Sequence, residues 1–101
     1  MTPEAKVKAK LYKIMKEWGV YYFSPQTGGY GRSGVPDIIC CYKGRFIAIE
    51  CKAGKNKPTP LQEAEMEKIR TAQGVAAVIN EDNIDLLEQI LKGFKIGRAH
   101  V

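Results

Sequence analysis

The chain has little of what thiolate-metal and disulfide-rich proteins need. Its 101 residues contain one histidine and three cysteines, and Cys40, Cys41 and Cys51 lack the paired spacing of a zinc site. Cys40 and Cys41 are adjacent in an apolar run, so on a strand they would face opposite sides and are not expected to bridge. We expect all three cysteines to be buried free thiols. His100 has no second histidine to join it in a metal cluster.

Long apolar runs are absent as well. No stretch approaches the roughly 20 apolar residues that span a bilayer, and the N-terminus, Met1-Thr2-Pro3-Glu4, lacks the basic-then-apolar pattern of a signal peptide. We therefore expect an intracellular protein with no membrane partner. The length allows one modest hydrophobic core, so residues 1–101 are predicted to form a single domain.

The charge balance favours an anionic partner. The net charge is +5 and the isoelectric point is near 9.2. Basic residues are concentrated in the first predicted helix and after the third predicted strand, whereas acidic residues gather near the last helix. A basic surface of this kind suits nucleic acid without identifying it.

Apolar spacing and helix-capping residues predict the order α-β-β-β-α-β-α. Thr-Pro pairs at Thr2 and Thr59 start two helices, with Thr as N-cap and Pro at the first helical position, and these helices are predicted to end at Gly19 and near Gln73. Strands are predicted at 20–23, 38–42, 46–51 and 75–79, the last of them fully buried, and a third helix follows. We expect an α/β fold with a mixed sheet of about four strands flanked by helices.

One constellation of charged residues carries chemical information. Asp37 begins one apolar strand, and Glu50 and Lys52 lie on the next. Alternate strand residues share a face, so Glu50 and Lys52 project together while Cys51 projects the other way. If the two strands form a hairpin, Asp37 lies beside Glu50. Two carboxylates and an ammonium are costly to gather without a ligand.

A divalent cation and a phosphate would explain that cost. Mg²⁺ takes carboxylate, carbonyl and water oxygens, and the ion activates water and neutralises phosphate charge. Asp37, Glu50 and the Cys51 carbonyl are candidate ligands, and Lys52 is a candidate for positioning the attacking water. Taken singly, Asp37 is equally consistent with a strand boundary, and Glu50 with Lys52 as a surface ion pair of little energetic value.

The sequences Gly34-Val35-Pro36-Asp37 and Phe46-Ile47-Ala48-Ile49-Glu50-Cys51-Lys52 resemble the PD-(D/E)xK nuclease superfamily. Within it, the chain most resembles the VRR-Nuc family, in particular its stand-alone phage members. The resemblance implies a restriction-endonuclease-like fold, Mg²⁺ or Mn²⁺ as cofactor with one or two ions per site, and DNA cleavage. It also implies a homodimer similar to Holliday-junction resolvases, and a location in the bacterial cytoplasm if a phage encodes the chain.

The resemblance assigns the catalytic trio to Asp37, Glu50 and Lys52. It also matches Glu4 to an acid of the first helix and Gln62 to a glutamine of the second. Glu4 is thus a candidate metal ligand, although an acid in a first turn also favours the helix dipole. Gln62 is a candidate catalytic residue, although Thr59-x-x-Gln62 is equally a capping box.

Residues near the motif in chain order are candidates for contacting DNA. They are Arg32, Lys55 and Lys57 for phosphates, and Tyr30, in the glycine-rich loop, for a base. We therefore expect a metal-dependent endodeoxyribonuclease acting as a homodimer on branched or otherwise structured DNA. The alternatives are a general nuclease of duplex or single strands and a non-catalytic DNA-binding module of the same fold.

Overall fold

The helices and strands follow the predicted order. The computed structural model describes residues 1–26 and 33–94. Its elements are α1 (Pro3–Trp18), β1 (Tyr21–Phe23), β2 (Ile38–Tyr42), β3 (Arg45–Cys51), α2 (Pro60–Thr71), β4 (Val75–Ile79) and α3 (Leu86–Lys92). The predicted α/β class, with a mixed four-stranded sheet and flanking helices, is confirmed.

Both predicted Thr-Pro helix starts are present. Thr2 caps α1 by accepting a hydrogen bond from the backbone N–H of Ala5 at 3.1 Å. Thr59 caps α2 in the same way through Gln62. At the other end of α1, Gly19 adopts the left-handed conformation, with φ of 72°, which glycine reaches without a Cβ penalty. The local sequence therefore fixes where α1 and α2 begin.

The sheet has the strand order β1-β2-β3-β4. The strands β1, β2 and β3 pair antiparallel, and β4 runs parallel to β3. β2 and β3 are joined by the tight turn at Lys43 and Gly44, both with positive φ. Because β2 and β3 are the central pair, side chains at their shared end lie in the middle of the sheet's edge, away from its outer strands.

The hydrophobic core lies between one face of the sheet and the two helices α1 and α3. It consists of Val7, Leu11, Met15, Val20, Ile38, Cys40, Ile47, Ile49, Cys51, Ile79, Leu87 and Leu91. The opposite face is covered by α2 over β4, and Met66 of that helix is buried. The N-terminal turns of α1 thus pack against the end of β3, where Glu50 and Lys52 are found.

Two predictions about burial are wrong. Cys41 is exposed rather than buried, because it lies in β2 on the sheet face opposite the core, and on that face α2 packs mainly over β4. β4 is mostly half-buried, with only Ile79 fully buried, because it is an outer strand paired with β3 alone in the described part of the chain. Cys40 and Cys51 are buried free thiols, as predicted.

No helix in the described ranges is both long and apolar enough to cross a membrane.

Candidate active site

The strand register brings Asp37 and Glu50 to the same end of the β2–β3 hairpin. Ile38 pairs with Ile49, so Asp37, one residue earlier, faces Glu50, one residue later. An Asp37 carboxylate oxygen accepts a hydrogen bond from the backbone N–H of Cys51 at 2.8 Å. That bond fixes the Asp37 side chain against the end of β3, and its carboxylate is close enough to Glu50 to raise the pKa of that side chain.

Glu50 is a buried acid with an incomplete set of partners. Its side chain is only 2% exposed. One carboxylate oxygen lies 3.4 Å from Nζ of Lys52, which is 13% exposed. The other, Oε1, is buried and has no hydrogen-bond partner in the described part of the chain. An unpaired buried carboxylate oxygen is costly, so this atom calls for a cation, a proton or a bound water.

The electrostatic surroundings of Glu50 also favour a bound cation or proton. Burial, and after it the neighbouring Asp37 carboxylate, raises the pKa of Glu50 from 4.5 to about 7, although the Lys52 ammonium acts in the opposite direction. Desolvation and a like charge both disfavour the ionised form. Without a further positive charge, Glu50 therefore binds a proton more readily than a free carboxyl group does. A divalent cation would relieve both penalties at once.

The donor set suits a hard cation. Asp37 and Glu50 offer carboxylate oxygens, which Mg²⁺ and Mn²⁺ prefer over nitrogen or sulfur. Within residues 1–26 and 33–94, no three His, Cys, Asp or Glu side chains group closely enough to hold a metal by themselves. The remaining ligands would have to be backbone carbonyls or waters, as the predicted Cys51 carbonyl is. Burial raises the pKa of the Cys51 thiol to about 12, so its sulfur stays protonated and packs as an apolar group.

The structure places Glu4 near this pair. A cavity of about 200 Å³ is lined by Thr2, Glu4, Ala5, Lys8, Asp37 and Cys51. Glu4 therefore shares a cavity with two residues predicted to supply ligands, Asp37 and Cys51, although its own role as a ligand remains a prediction. Lys8 lines the same cavity and was not among the predicted site residues. Sequence spacing alone groups it with the other lysines of α1.

Gln62 is engaged in the capping box of α2. Its side-chain oxygen accepts a hydrogen bond from the backbone N–H of Thr59 at 2.8 Å, and its own backbone N–H donates to the Thr59 hydroxyl at 3.2 Å. The capping role that the sequence also predicts for Gln62 is thus present in the molecule. A catalytic role for its amide stays a prediction.

Lys55 and Lys57 are exposed in the loop that follows β3. The loop is anchored where the Glu81 carboxylate accepts hydrogen bonds from the backbone N–H of Gly54, at 3.0 and 2.9 Å. The sequence did not predict this contact. It anchors the loop at Gly54, between Lys52 and the two exposed lysines. The predicted DNA contacts Tyr30 and Arg32 lie outside the described residues.

The chain is similar to nucleases of the PD-(D/E)xK type over most of its length. The family model described as archaeal Holliday junction resolvase (Hjc) matches residues 5–82. The chain belongs to this family of nucleases, whose members generally use divalent metal ions.

A solved structure described as a VRR_NUC domain has the same fold. Its TM-score is 0.74 at 20% sequence identity, and the match covers 94% of this chain and all of the other. The predicted resemblance to the VRR-Nuc family is thereby confirmed at the level of fold. The search of curated proteins finds no match.

Proposed function

We propose that the protein is a metal-dependent endodeoxyribonuclease that cuts branched DNA as a homodimer. The observation that carries the proposal is the buried Glu50 carboxylate beside Asp37, with one oxygen paired to Lys52 and the other without a partner. A site built only for stability gains little from a buried acid left half-paired. A site built to bind a cation and a phosphate needs such an acid.

Asp37, Glu50 and the Cys51 carbonyl would hold one or two Mg²⁺ or Mn²⁺ ions. When bound, such an ion lowers the pKa of a water molecule and neutralises charge on the phosphate. Asp37 is already oriented for this role, because the Cys51 N–H occupies one of its oxygens.

Lys52 would supply the positive charge that the reaction needs near phosphorus. Its ammonium is held at the site by Glu50 and is only slightly exposed, so it meets the substrate partly desolvated. In that position it can orient the attacking water by hydrogen bonding and stabilise the charge that develops on the phosphate oxygens. The leaving 3′ oxygen would take its proton from solvent.

The homodimer is supported by an exposed apolar surface, which we call the aromatic face. It comprises Tyr21, Phe23, Cys41 and Phe46. Register pairs Tyr21 with Cys41 and Cys41 with Phe46, so they share the sheet face opposite the core. Tyr21 is 69% exposed, Phe23 47% and Phe46 46%. A contiguous apolar patch on a sheet marks an association surface, and a two-fold axis through it would pair like with like.

Substrate preference is tested by a panel of DNA structures. A four-way junction, a flap, a linear duplex and single strands would each be incubated with the protein and Mg²⁺ or Mn²⁺. We expect paired symmetrical cuts in the junction with the linear duplex left intact. Cutting of duplex or single strands at comparable rates would instead establish a general nuclease.

Catalysis is separated from binding by one substitution. Lys52→Met keeps the length of the side chain and removes its charge, so it should abolish cleavage and leave junction binding within about twofold. Lys16→Met is the matched control, because Lys16 is exposed in the last turn of α1, and it should cut normally. Junction binding without cleavage by the unaltered protein, in either metal, would identify a DNA-binding module.

A further inference from the structure

Lys8 differs from its neighbours on α1. The other lysines of this helix are exposed, whereas Lys8 is partly buried; they are Lys6, Lys10, Lys13 and Lys16. A partly buried lysine covers its aliphatic stem while its ammonium stays within reach of water or of an anion. The groups around Lys8 therefore indicate what its ammonium can bind.

Lys8 has no ion-pair partner within the described part of the chain. Lys8 lines the cavity that also contains Glu4 and Asp37, yet no ion pair joins it to either acid within 4.0 Å in residues 1–26 and 33–94. The cavity is open to solvent and about 200 Å³ in volume. Lys8 therefore lines the cavity beside Asp37 without an ion pair to it, and its ammonium remains able to bind an anion from outside.

The two lysines near Asp37 stand on opposite faces of the sheet. Lys52 shares the face of Glu50, whereas Lys8 belongs to α1, which packs on the face formed by Ile38, Ile49 and Cys51. A DNA strand whose scissile phosphate lies at Asp37 would have neighbouring phosphates on either side of it. Lys52 is assigned to the reacting phosphate. Lys8 is therefore placed to bind an adjacent phosphate.

We propose that Lys8 is a phosphate-binding residue that holds the DNA backbone next to the reacting phosphate. The inference rests on the proposed function, because it takes Asp37 as the place where the phosphate binds. Lys8 is a positioning residue in this scheme. It provides a point charge to the backbone and carries no sequence preference.

The test measures DNA binding without cleavage. Binding of a labelled four-way junction in EDTA would be followed across salt concentrations for the unaltered protein, Lys8→Gln, Lys8→Arg and Lys10→Gln. Each phosphate contact contributes about 0.9 to the slope of log K against log salt. Lys8→Gln should make the slope shallower by about that amount, and Lys8→Arg should preserve it.

Lys10→Gln is the matched control. It removes the same charge from the same helix, but Lys10 is exposed and lies about 200° around the helix from Lys8, so its slope should stay near that of the unaltered protein. Equal slopes for Lys8→Gln and Lys10→Gln would overturn the inference while leaving the nuclease proposal intact. If the unaltered protein neither binds nor cuts DNA, the proposed function itself fails.

Discussion

Gly34 lies against the first turn of α2 at Leu61. A Cβ added to Gly34 would lie 2.6 Å from the Leu61 carbonyl oxygen and 2.7 Å from its carbonyl carbon, and Gly34 has φ of 78°. Both features demand glycine, since the backbone of α2 cannot move aside as a flexible side chain would. The contact connects the segment leading into Asp37 with the helix that covers the sheet face opposite the core, and so helps to fix Asp37 in place.

Gly34→Ala should therefore destabilise the protein and weaken cleavage together. Gly44→Ala is the matched control, because Gly44 has φ of 79° but nothing within 4 Å of the added Cβ. The control should lose about 1–2 kcal/mol from backbone strain alone, and Gly34→Ala should lose more. Denaturant unfolding of both variants measures the difference, and equal losses would show that the contact with α2 yields freely.

Replacing Glu50 by Gln should change how stability depends on pH. The pKa of Glu50 is 4.5 unfolded and about 7 folded, so between these values the folded state binds more protons than the unfolded state. The free energy of unfolding then falls as pH rises. The stabilising contribution is complete below about pH 4.5 and is lost as pH rises through about 7.

Metal-free Glu50→Gln should lack this fall. At pH 8 it should be more stable than the unaltered protein by on the order of 3 kcal/mol, as read from urea unfolding in EDTA at pH 5 and pH 8. A parallel pH dependence in the two proteins would show that Glu50 ionises in the folded state as easily as in water.

The two roles of Gln62 can be separated by Gln62→Glu. A glutamate at this position also completes a capping box, so the variant should keep the stability of the protein within about 0.5 kcal/mol. Thr59→Ala removes the cap itself and should cost about 1 kcal/mol. If the amide of Gln62 takes part in cleavage, Gln62→Glu loses activity at unchanged stability. Full activity in a stable Gln62→Glu variant would restrict the residue to capping.

The aromatic face should control the oligomeric state. The double substitution Tyr21→Ser with Phe23→Ser removes two exposed aromatic side chains from an outer strand, and the variant should sediment as a monomer where the unaltered protein forms a dimer. Leu61→Ser is the control, since Leu61 is 60% exposed in the first turn of α2, apart from this face. The dimer proposal fails if the unaltered protein is itself a monomer at micromolar concentrations in the ultracentrifuge.

The local signals in the sequence predicted most of the fold. Thr2-Pro3 and Thr59-Pro60 gave both helix starts, because capping depends on a few neighbouring residues. The pairing of Asp37 with Glu50 was also predictable, since a short turn fixes the register of a hairpin. In contrast, the exposure of Cys41 and the half-burial of β4 depend on which helix covers which part of the sheet. That is a relationship between residues far apart in the chain.

The amino-acid sequence by itself determined the elements, their order and the acidic and basic residues at the end of the β2–β3 hairpin, because capping, alternation and turn geometry act over a few residues. Only the tertiary structure decided that Glu50 is buried with one oxygen unpartnered, that Gly34 touches α2, and that Lys8 shares a cavity with Asp37. Burial and contact across the sheet arise when helices pack on it, and packing is a property of the whole chain.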